Sequence, residues 1–245
     1  MRDYFDFSGK VILITGSTRG IGNKIARLFA ECAANVIVNG RNPVTVEKTV
    51  NEINGGEFVY GIAADVGNEK EVEHMFNKIK EKYGHIDIVI NNAALRPFEN
   101  LHDIDKKSWD CVLNTNLTGT FNCIRAAMEM ERGHKCIFVN ISSICATTQP
   151  DYYAGIHYSA SKGGVISLTR SLAMEFGRLG VRANSIVLGP IDKDGQQGEL
   201  MAEYSRRNSS LGRPCSVDEV ASTCLFLASD MSSGINGESI VIGGY

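Results

Sequence analysis

The sequence predicts an α/β fold in which a doubly wound parallel sheet carries helices on both faces. Short apolar runs rich in β-branched residues alternate with longer segments of helical periodicity along most of the chain. The apolar runs show no clear polar–apolar alternation, so both faces of each strand are expected to be buried, as in parallel sheets. Strand–helix alternation requires right-handed crossovers, which place helices on both sides of the sheet.

The individual elements follow from these runs. Strands are predicted at Val11–Thr15, Val36–Asn39, Phe58–Ile62, Ile86–Ile90, Cys136–Ile141, Val181–Val187 and Ser239–Ile242. Helices are predicted near residues 20–33, 43–54, 68–83, 105–130, 152–179 and 216–228. No Pro/Gly/Ser-rich linker divides the 245 residues, and the five prolines are scattered. We therefore expect a single domain spanning residues 1–245.

Charge and hydropathy patterns argue against several function classes. The formal net charge is −3 and basic residues form no cluster, so no nucleic-acid partner is expected, and Arg206–Arg207 is interpreted as a solvated helix face. No segment approaches the roughly 18 apolar residues of a membrane span, and the first residues lack a signal-type apolar stretch. The seven cysteines form no CxxC pair, which is typical of reduced thiols. We expect a cytoplasmic protein without membrane association.

A glycine-rich turn follows the first strand and opens the first helix. In parallel sheets, ligands bind beyond the carboxyl ends of the strands. Glycines at these positions permit a sharp turn and close approach of a pyrophosphate, which the helix N-terminus attracts. A purely structural turn is the alternative, but the position between strand and helix favours phosphate binding. The residues predicted to bind the dinucleotide here are Gly16, Ser17, Thr18, Arg19, Gly20, Ile21 and Gly22.

The end of the second strand predicts which nicotinamide cofactor is used. NAD sites usually carry an acidic residue here for the ribose 2′-hydroxyl. Gly40 occupies that position and Arg41 follows it. An arginine binds a 2′-phosphate through forked, charge-assisted hydrogen bonds, and Arg19 offers a second cation. The sequence therefore predicts NADP(H); a surface arginine in a turn is the alternative reading of Arg41, and the absence of the acid disfavours it.

Two further strand ends hold candidate cofactor contacts. After the third strand, Asp65 and Val66 are expected to flank the adenine, with Asp65 accepting a hydrogen bond from its amino group. Alternatively, Asp65 caps the next helix. After the fourth strand, Asn91 and Ala93 suit close passage of a ribose. Amides at this position equally suit hydrogen bonds that hold neighbouring strands together, and the two readings are compatible.

Tyr158 and Lys162 form the candidate proton-transfer pair. Residues four apart share one face of a helix, so both side chains are predicted to project into one cleft. Carbonyl reduction by hydride creates an alkoxide that needs a proton, and the reverse reaction needs a base. A nearby ammonium favours the phenolate and is expected to lower the tyrosine pKa. Lys162 can also hydrogen-bond the nicotinamide ribose. Alone, such a pair is equally compatible with a structural role.

Two polar residues strengthen the assignment. Ser143 stands at the carboxyl end of the fifth strand, where its hydroxyl can polarise a substrate carbonyl; a helix cap or turn serine is the alternative. Asn116 lies inside an otherwise helical run, where asparagine is mildly unfavourable. It is a candidate for holding a water that relays protons to Lys162, and an ordinary buried helix amide is the competing interpretation.

Together these motifs resemble the compact branch of the short-chain dehydrogenase/reductase family. The motifs occur in order over nearly the whole chain: Thr15-Gly16-x-x-x-Gly20-x-Gly22, Asn91-Asn92-Ala93, Asn116, Ser143, Tyr158-x-x-x-Lys162, Leu211-Gly212-Arg213-Pro214 and Ile235-Asn236-Gly237-Glu238. The resemblance implies a single-domain Rossmann fold with seven strands and a catalytic tetrad of Asn116, Ser143, Tyr158 and Lys162. It also implies no metal, and a homotetramer that uses the helices near 105–130 and 152–179 at one interface and the last strand at another.

Within that family the chain is most similar to 3-oxoacyl-[acyl-carrier-protein] reductases and related carbonyl reductases. By this resemblance Gly189 and Ile191 meet the nicotinamide carboxamide, whereas Lys193 replaces a common threonine. The cofactor half is expected at about residues 1–140, the catalytic half at about 141–245, and a substrate lid at about 191–212. The expected substrate is a small-molecule or thioester carbonyl. Docking of a carrier protein stays open, because His134 and Leu179 stand where the fatty-acid reductases carry arginines.

Two other functions compete with that of a reductase. A dinucleotide-binding regulator or scaffold would keep the fold without turnover, but the intact tetrad argues against it. A methyltransferase commonly needs an acid after the second strand and has no use for Tyr158 and Lys162.

Overall fold

A computed structural model confirms the predicted α/β architecture. It describes residues 5–53, 58–130, 135–148, 155–192 and 199–244. Seven strands form one sheet in the order β3-β2-β1-β4-β5-β6-β9, and every pairing in it is parallel. The order reverses between β1 and β4, which is the switch point where doubly wound sheets open a ligand crevice.

The elements have the following bounds. The strands are β1 Val11–Ile14, β2 Asn35–Gly40, β3 Val59–Ala63, β4 Ile88–Asn91, β5 Ile137–Ser143, β6 Arg182–Leu188, β7 Ile191–Asp192, β8 Cys215–Ser216 and β9 Ser239–Ile242. The helices are α1 Gly20–Glu31, α2 Pro43–Glu52, α3 Glu69–Tyr83, α4 Lys106–Leu113, α5 Gly119–Met130, α6 Ile156–Phe176, α7 Glu199–Asn208 and α8 Val217–Ala228.

The predicted helix over 105–130 is interrupted, which corrects the sequence interpretation. Residues Asn114–Thr118 form a π-helical turn between α4 and α5. Such turns are rare and often mark functional sites. Helix α7 lies within the polar stretch 191–212, where no helix was predicted, and β7 at the start of that stretch forms a two-residue parallel ladder with β8.

The core lies in two layers, one on each face of the sheet. Alternate residues of a strand feed opposite layers: Ile12 and Ile14 of β1 pack toward α1 and α8, whereas Val11 and Leu13 pack toward α3 and α5. All four side chains are buried, which explains why the strand sequence reads as a continuous apolar run. The seven cysteines all fall within the described ranges, and each is a free thiol.

Side-chain caps begin several of the described helices. Asn42, Asn68 and Ser216 accept hydrogen bonds from first-turn N–H groups of α2, α3 and α8. Within the ranges given above, none of the helices combines the length and apolar character needed to cross a bilayer.

Candidate active site

The predicted site residues gather at one edge of the sheet. Because all seven strands run in the same direction, their carboxyl ends meet at that edge. The glycine turn follows β1, Arg41 follows β2, Asp65 follows β3, and Ser143 ends β5. Sequence positions more than a hundred residues apart therefore share one crevice.

Glycines are required where the β1–α1 turn approaches its neighbours. Gly16 has φ +61°, and a Cβ there would lie 2.8 Å from Ala93 Cα. A Cβ at Gly22 would lie 2.5 Å from Asn92 Nδ2 and 2.6 Å from the Gly16 carbonyl oxygen. These two glycines thus close the turn against the loop after β4.

Gly20 faces the opposite way and leaves room for a ligand. It has φ +56°, and no atom of the described residues lies within 4 Å of a Cβ built on it. Helix α1 begins here, Arg19 provides no side-chain cap, and the first turn contains no acidic residue. Open N–H groups at a helix N-terminus are the chemistry that binds a pyrophosphate, so this cradle fits the dinucleotide.

Ser17, also predicted to bind the cofactor, is committed to holding β1 and β2 together. Its hydroxyl donates to the Ile14 carbonyl at 2.7 Å and accepts the Asn39 N–H at 3.0 Å. Its own N–H donates to the Asn39 carbonyl at 2.9 Å. The side chain is fully buried. A cofactor contact by Ser17 stays a prediction that these hydrogen bonds do not support.

The end of β2 has a glycine, packed against Thr18, where NAD sites typically carry an acidic residue. A Cβ at Gly40 would lie 2.7 Å from the methyl carbon of Thr18. A side chain at position 40 therefore requires Thr18 to move. Arg19 and Arg41 are both exposed at this end of the sheet. Two arginines and no acid suit a 2′-phosphate better than a 2′-hydroxyl.

The structure shows which hydrogen bonds Asp65 and Asn91 make within the protein. Asn68, rather than Asp65, caps α3, and the Asp65 carboxylate accepts the Gly67 N–H at 2.9 Å in a tight turn. Val66, beside it, is buried. Asn91 turns into the sheet and donates to the Asn140 side-chain oxygen at 2.8 Å, as the strand-holding reading expects.

Ala93 and Asn92 lie directly beside the glycine turn. The Ala93 N–H donates to the Thr15 hydroxyl at 3.0 Å. The Asn92 amide donates to the carbonyls of Thr15 and Gly16 at 2.9 and 3.0 Å. The loop after β4 is thereby fixed to the phosphate cradle, which places Ala93 at the crevice.

Tyr158 and Lys162 occupy the first turns of α6 and face the end of β5. Tyr158 is 7% exposed and packs with Val112 and Cys145. The Lys162 ammonium donates to the Ile141 carbonyl at 2.7 Å and lies 5.9 Å from the centroid of the Tyr158 ring. Complete burial lowers the pKa of Lys162 to about 8. The ammonium is therefore mostly protonated at neutral pH and sits beside the phenol.

The two serines at the end of β5 make different hydrogen bonds. Ser142 donates to the Lys162 backbone carbonyl at 2.9 Å and so ties α6 to the sheet. Ser143 accepts the Cys145 N–H at 3.3 Å, which is the cap reading of this residue. Accepting that bond leaves the Ser143 hydroxyl proton for donation, so capping and substrate polarisation are compatible.

Asn116 acts as a clamp within the π-helical turn. Its side-chain oxygen accepts the Leu95 N–H at 2.7 Å, and its amide donates to the Leu95 carbonyl at 2.9 Å and to the Ser161 hydroxyl at 3.0 Å. The residue is fully buried. These hydrogen bonds agree with the reading of Asn116 as a buried helix amide, and the water that it is expected to hold for a proton relay stays a prediction.

Gly189 and Ile191 follow β6 at the same edge. The Gly189 N–H donates to the Ile242 carbonyl at 2.7 Å, and a Cβ at Gly189 would lie 3.0 Å from that oxygen. Ile191 is buried and pairs with Cys215 in the small ladder. Lys193 and the first part of the expected lid lie outside the described residues.

Sequence reasoning missed Arg96 and the partly buried cluster of Glu99, Ser108 and His157. The Arg96 Cζ lies 5.5 Å from the Tyr158 ring centroid. His157 Nε2 lies 3.2 Å from the Glu99 carboxylate and 3.4 Å from the Ser108 hydroxyl. The position of Arg96, just after the Asn-Asn-Ala-Ala run at a strand end, was an available signal. The cluster had none, because its members are far apart in sequence.

Comparisons with known proteins agree with this geometry. The family model described as Enoyl-(Acyl carrier protein) reductase matches residues 16–245. The chain is 35% identical to the (2S)-[(R)-hydroxy(phenyl)methyl]succinyl-CoA dehydrogenase subunit BbsD of Thauera aromatica, over 96% of this chain and 95% of that protein. It is 34% identical to the 3-oxoacyl-[acyl-carrier-protein] reductase FabG of Staphylococcus aureus, over 96% and 97% of the two chains.

A solved structure shows the same architecture. A short chain dehydrogenase from Bacillus anthracis superimposes with a TM-score of 0.87 at 33% identity, covering 96% of this chain and 95% of that one.

Proposed function

Because the chain belongs to the short-chain dehydrogenase/reductase family of oxidoreductases, we propose that it transfers hydride between NADP(H) and a ketone or secondary alcohol. One observation carries the proposal. The Tyr158 phenol and the Lys162 ammonium lie side by side against the end of β5, at the edge where the glycine cradle opens.

In the proposed reduction, NADPH supplies the hydride when bound. The Tyr158 hydroxyl gives its proton to the oxygen that becomes the alcohol, and the Ser143 hydroxyl donates a hydrogen bond to that oxygen. The Lys162 ammonium stabilises the phenolate left on Tyr158 electrostatically. Asn116 and Ser142 hold the surrounding backbone in place. For alcohol oxidation the same groups act in reverse.

The preference for NADP(H) is supported by the end of β2. Thr18 fills the space that an acidic side chain at position 40 would need, and Arg19 and Arg41 supply positive charge. Neither observation depends on the substrate, so the cofactor preference can be tested separately from it.

For the substrate, we propose a 3-oxoacyl compound or a related carbonyl. One relative is named for 3-oxoacyl-[acyl-carrier-protein] reduction and another for dehydrogenation of a hydroxy-substituted succinyl-CoA. Both names describe thioesters. Whether a carrier protein docks is part of the test below. We further propose a cytoplasmic homotetramer with a single catalytic domain and a lid within residues 191–212.

The test combines a substrate panel with a matched pair of variants. Purified protein is assayed for NADPH oxidation with free β-ketoesters, simple ketones and carrier-linked 3-oxoacyl thioesters. Tyr158→Phe is expected to abolish turnover while NADPH binding, followed by fluorescence, stays nearly unchanged. Tyr83→Phe is the control: no residue in the described part of the chain hydrogen-bonds its buried hydroxyl, which lies at the end of α3, so its loss should leave turnover intact.

Two outcomes would contradict the proposal. Tyr158→Phe retaining full turnover removes the proton donor from the mechanism. Binding of NADPH without reduction of any carbonyl favours the regulator or scaffold reading instead.

A further inference from the structure

The segment 95–99 forms an arch beside the active-site tyrosine. It connects β4 with the turn before α4. Its first residue, Leu95, is held through both its N–H and its carbonyl by the Asn116 side chain, at 2.7 and 2.9 Å. Two hydrogen bonds from one buried amide fix the backbone orientation at this end.

The other end of the arch is fixed equally firmly. The Glu99 carboxylate accepts a short hydrogen bond from the Ser108 hydroxyl of α4. It also lies 3.2 Å from Nε2 of His157, which is fully buried on α6 next to Tyr158. Gly155 makes room for the imidazole, since a Cβ there would lie 2.4 Å from His157 Cε1. The negative charge of the arch is thus bound to α4 and α6.

Between these fixed ends, Arg96 presents its guanidinium to Tyr158. The Cζ atom lies 5.5 Å from the Tyr158 ring centroid and 5.1 Å from the ring of Phe98, which is itself largely exposed. Pro97 follows and restricts the backbone of Arg96 to extended conformations. The cation is therefore held near the phenol by a preorganised stretch of chain.

Stacking and carboxylate recognition use different parts of a guanidinium. The flat face packs on aromatic rings, whereas the N–H groups point outward in its plane as a fork that matches a carboxylate. With its Cζ 5.5 Å from the Tyr158 ring centroid, the Arg96 guanidinium brings its N–H donors close to the periphery of that ring. A substrate whose carbonyl oxygen lies at the phenol hydroxyl can bring a neighbouring substituent to those donors.

Resting on the proposed function, we propose that Arg96 is a specificity-determining residue that binds a carboxylate carried by the carbonyl substrate. The substrate class is then an oxo acid, or an acyl derivative with a second, unesterified carboxylate. Preorganisation of the arch is what makes the recognition strong, because little side-chain and backbone freedom is lost on binding.

The test compares acids with their neutral methyl esters. Acetoacetate and levulinate place the carboxylate at two distances from the ketone, and methyl acetoacetate and methyl levulinate lack the charge. The kcat/KM of NADPH-dependent reduction is expected to favour at least one acid over its ester by tenfold or more. Arg96→Gln should lower kcat/KM for that acid at least tenfold and for the ester less than twofold. Arg96→Lys, which keeps the charge but not the fork, should fall between.

Calorimetry gives a readout that does not depend on turnover. The same four compounds are titrated into wild-type and Arg96→Gln protein saturated with NADP⁺, which cannot reduce a ketone. The wild type should bind the preferred acid at least tenfold more tightly than its ester, and the variant should bind both alike. Equal binding of acid and ester by the wild type, or a preference that survives in Arg96→Gln, overturns the assignment.

The kinetic pattern also separates this inference from the proposed function. If all four substrates lose turnover equally in Arg96→Gln, the arginine acts on Tyr158 or on the fold rather than on a carboxylate, and the inference is wrong. If the wild type reduces no carbonyl but still binds the acid through Arg96, the proposed function fails while the anion site stands.

Discussion

Burial of Lys162 disfavours its charged form, whereas the proposed reaction uses that charge. An ammonium removed from water favours losing its proton, and here burial brings the pKa to about 8 from the ordinary 10.5. Its single described hydrogen bond, to the Ile141 carbonyl, compensates only part of that loss. The fold retains a destabilising cation at the place where the proposed reaction leaves a negative phenolate.

This burial predicts a pH-dependent stability. Below pH 8 the lysine is charged in both states, so its full desolvation penalty weakens the folded state. Between pH 8 and 10.5 the unfolded chain binds more protons, so the contribution of this group to stability rises with pH. Lys162→Met removes the group. The quantity to follow is the free energy of unfolding of Lys162→Met minus that of the wild type. This difference is expected to fall by up to about 3 kcal/mol between pH 7 and pH 10, because the wild type gains stability over that range.

Denaturant melts of both proteins across that range provide the measurement. Reading the difference between the two proteins cancels the titration of all other groups. A difference that stays constant or grows with pH would show that burial does not lower the pKa of Lys162.

Arg41 carries the second prediction at the residue scale. Arg41→Ala removes one of the two cations proposed to bind the 2′-phosphate, so KM for NADPH is expected to rise at least tenfold. KM for NADH, which lacks that phosphate, should change less than threefold. Steady-state kinetics with both cofactors measures the effect. Lys48→Ala, on the exposed face of α2, is the control cation. A parallel loss with both cofactors would refute the 2′-phosphate role.

At the scale of the element, the π-helical turn predicts an unusually sensitive amide. Asn116→Ala leaves the Leu95 N–H and carbonyl without their described partner and removes one of the two described hydrogen bonds of the Ser161 hydroxyl, which still donates to the Tyr158 carbonyl. Buried polar groups that lose their partners destabilise the fold strongly. We expect a loss of about 2–4 kcal/mol in the free energy of unfolding. KM for the carbonyl substrate should also rise, because the 95–99 arch is released.

The same turn supplies the control. Asn114 is exposed and makes one side-chain hydrogen bond, to the Gly67 carbonyl at 3.1 Å. Asn114→Ala should therefore cost less than about 1 kcal/mol and leave KM unchanged. Chemical denaturation gives the energies. Equal losses of unfolding free energy in the two variants would mean that the hydrogen bonds between Asn116 and Leu95 contribute no more than the single bond of Asn114.

Elements of regular pattern were predictable from the sequence, and those set by distant side chains were not. Residues 11–14 read as a strand because both faces are apolar, and the structure agrees. The prediction ended β5 at Ile141, but Ser142 and Ser143 continue the ladder with β6, since pairing rather than hydrophobicity holds them there. The π-helical turn depends on Asn116 finding Leu95, which no local pattern records.

The residues of the candidate site also divide into those that local spacing predicts and those that only the tertiary packing brings together. The pair of Tyr158 and Lys162 was predictable from the sequence, because one helical turn separates the two residues. Helix α7 was missed because its stretch is polar and lacks a clear apolar periodicity. Glu99 and His157 were missed because they meet only after α6 packs beside α4.

At the scale of the whole molecule, the exposed side of α5 and α6 bears on assembly. Phe121 of α5 and Met174 of α6 are large apolar side chains that remain exposed in the single chain. These are the helices that the family resemblance places at a subunit interface. An apolar surface of this kind is expected to be covered by another copy in the proposed homotetramer.

A glycine on α6 makes the assembly testable without disturbing the protomer. No atom of the described chain lies within 4 Å of a Cβ built on Gly163, so a side chain there meets open space within one copy. If α6 packs closely against the same helix of a neighbour, Gly163→Arg inserts a bulky charge into that contact and should yield dimers or monomers. Gly234→Arg is the matched control, since Gly234 has equally open surroundings outside these helices. Light scattering after size exclusion should give four times the mass of one chain for the wild type and for Gly234→Arg. A tetramer that persists in Gly163→Arg would place the interface elsewhere on the molecule.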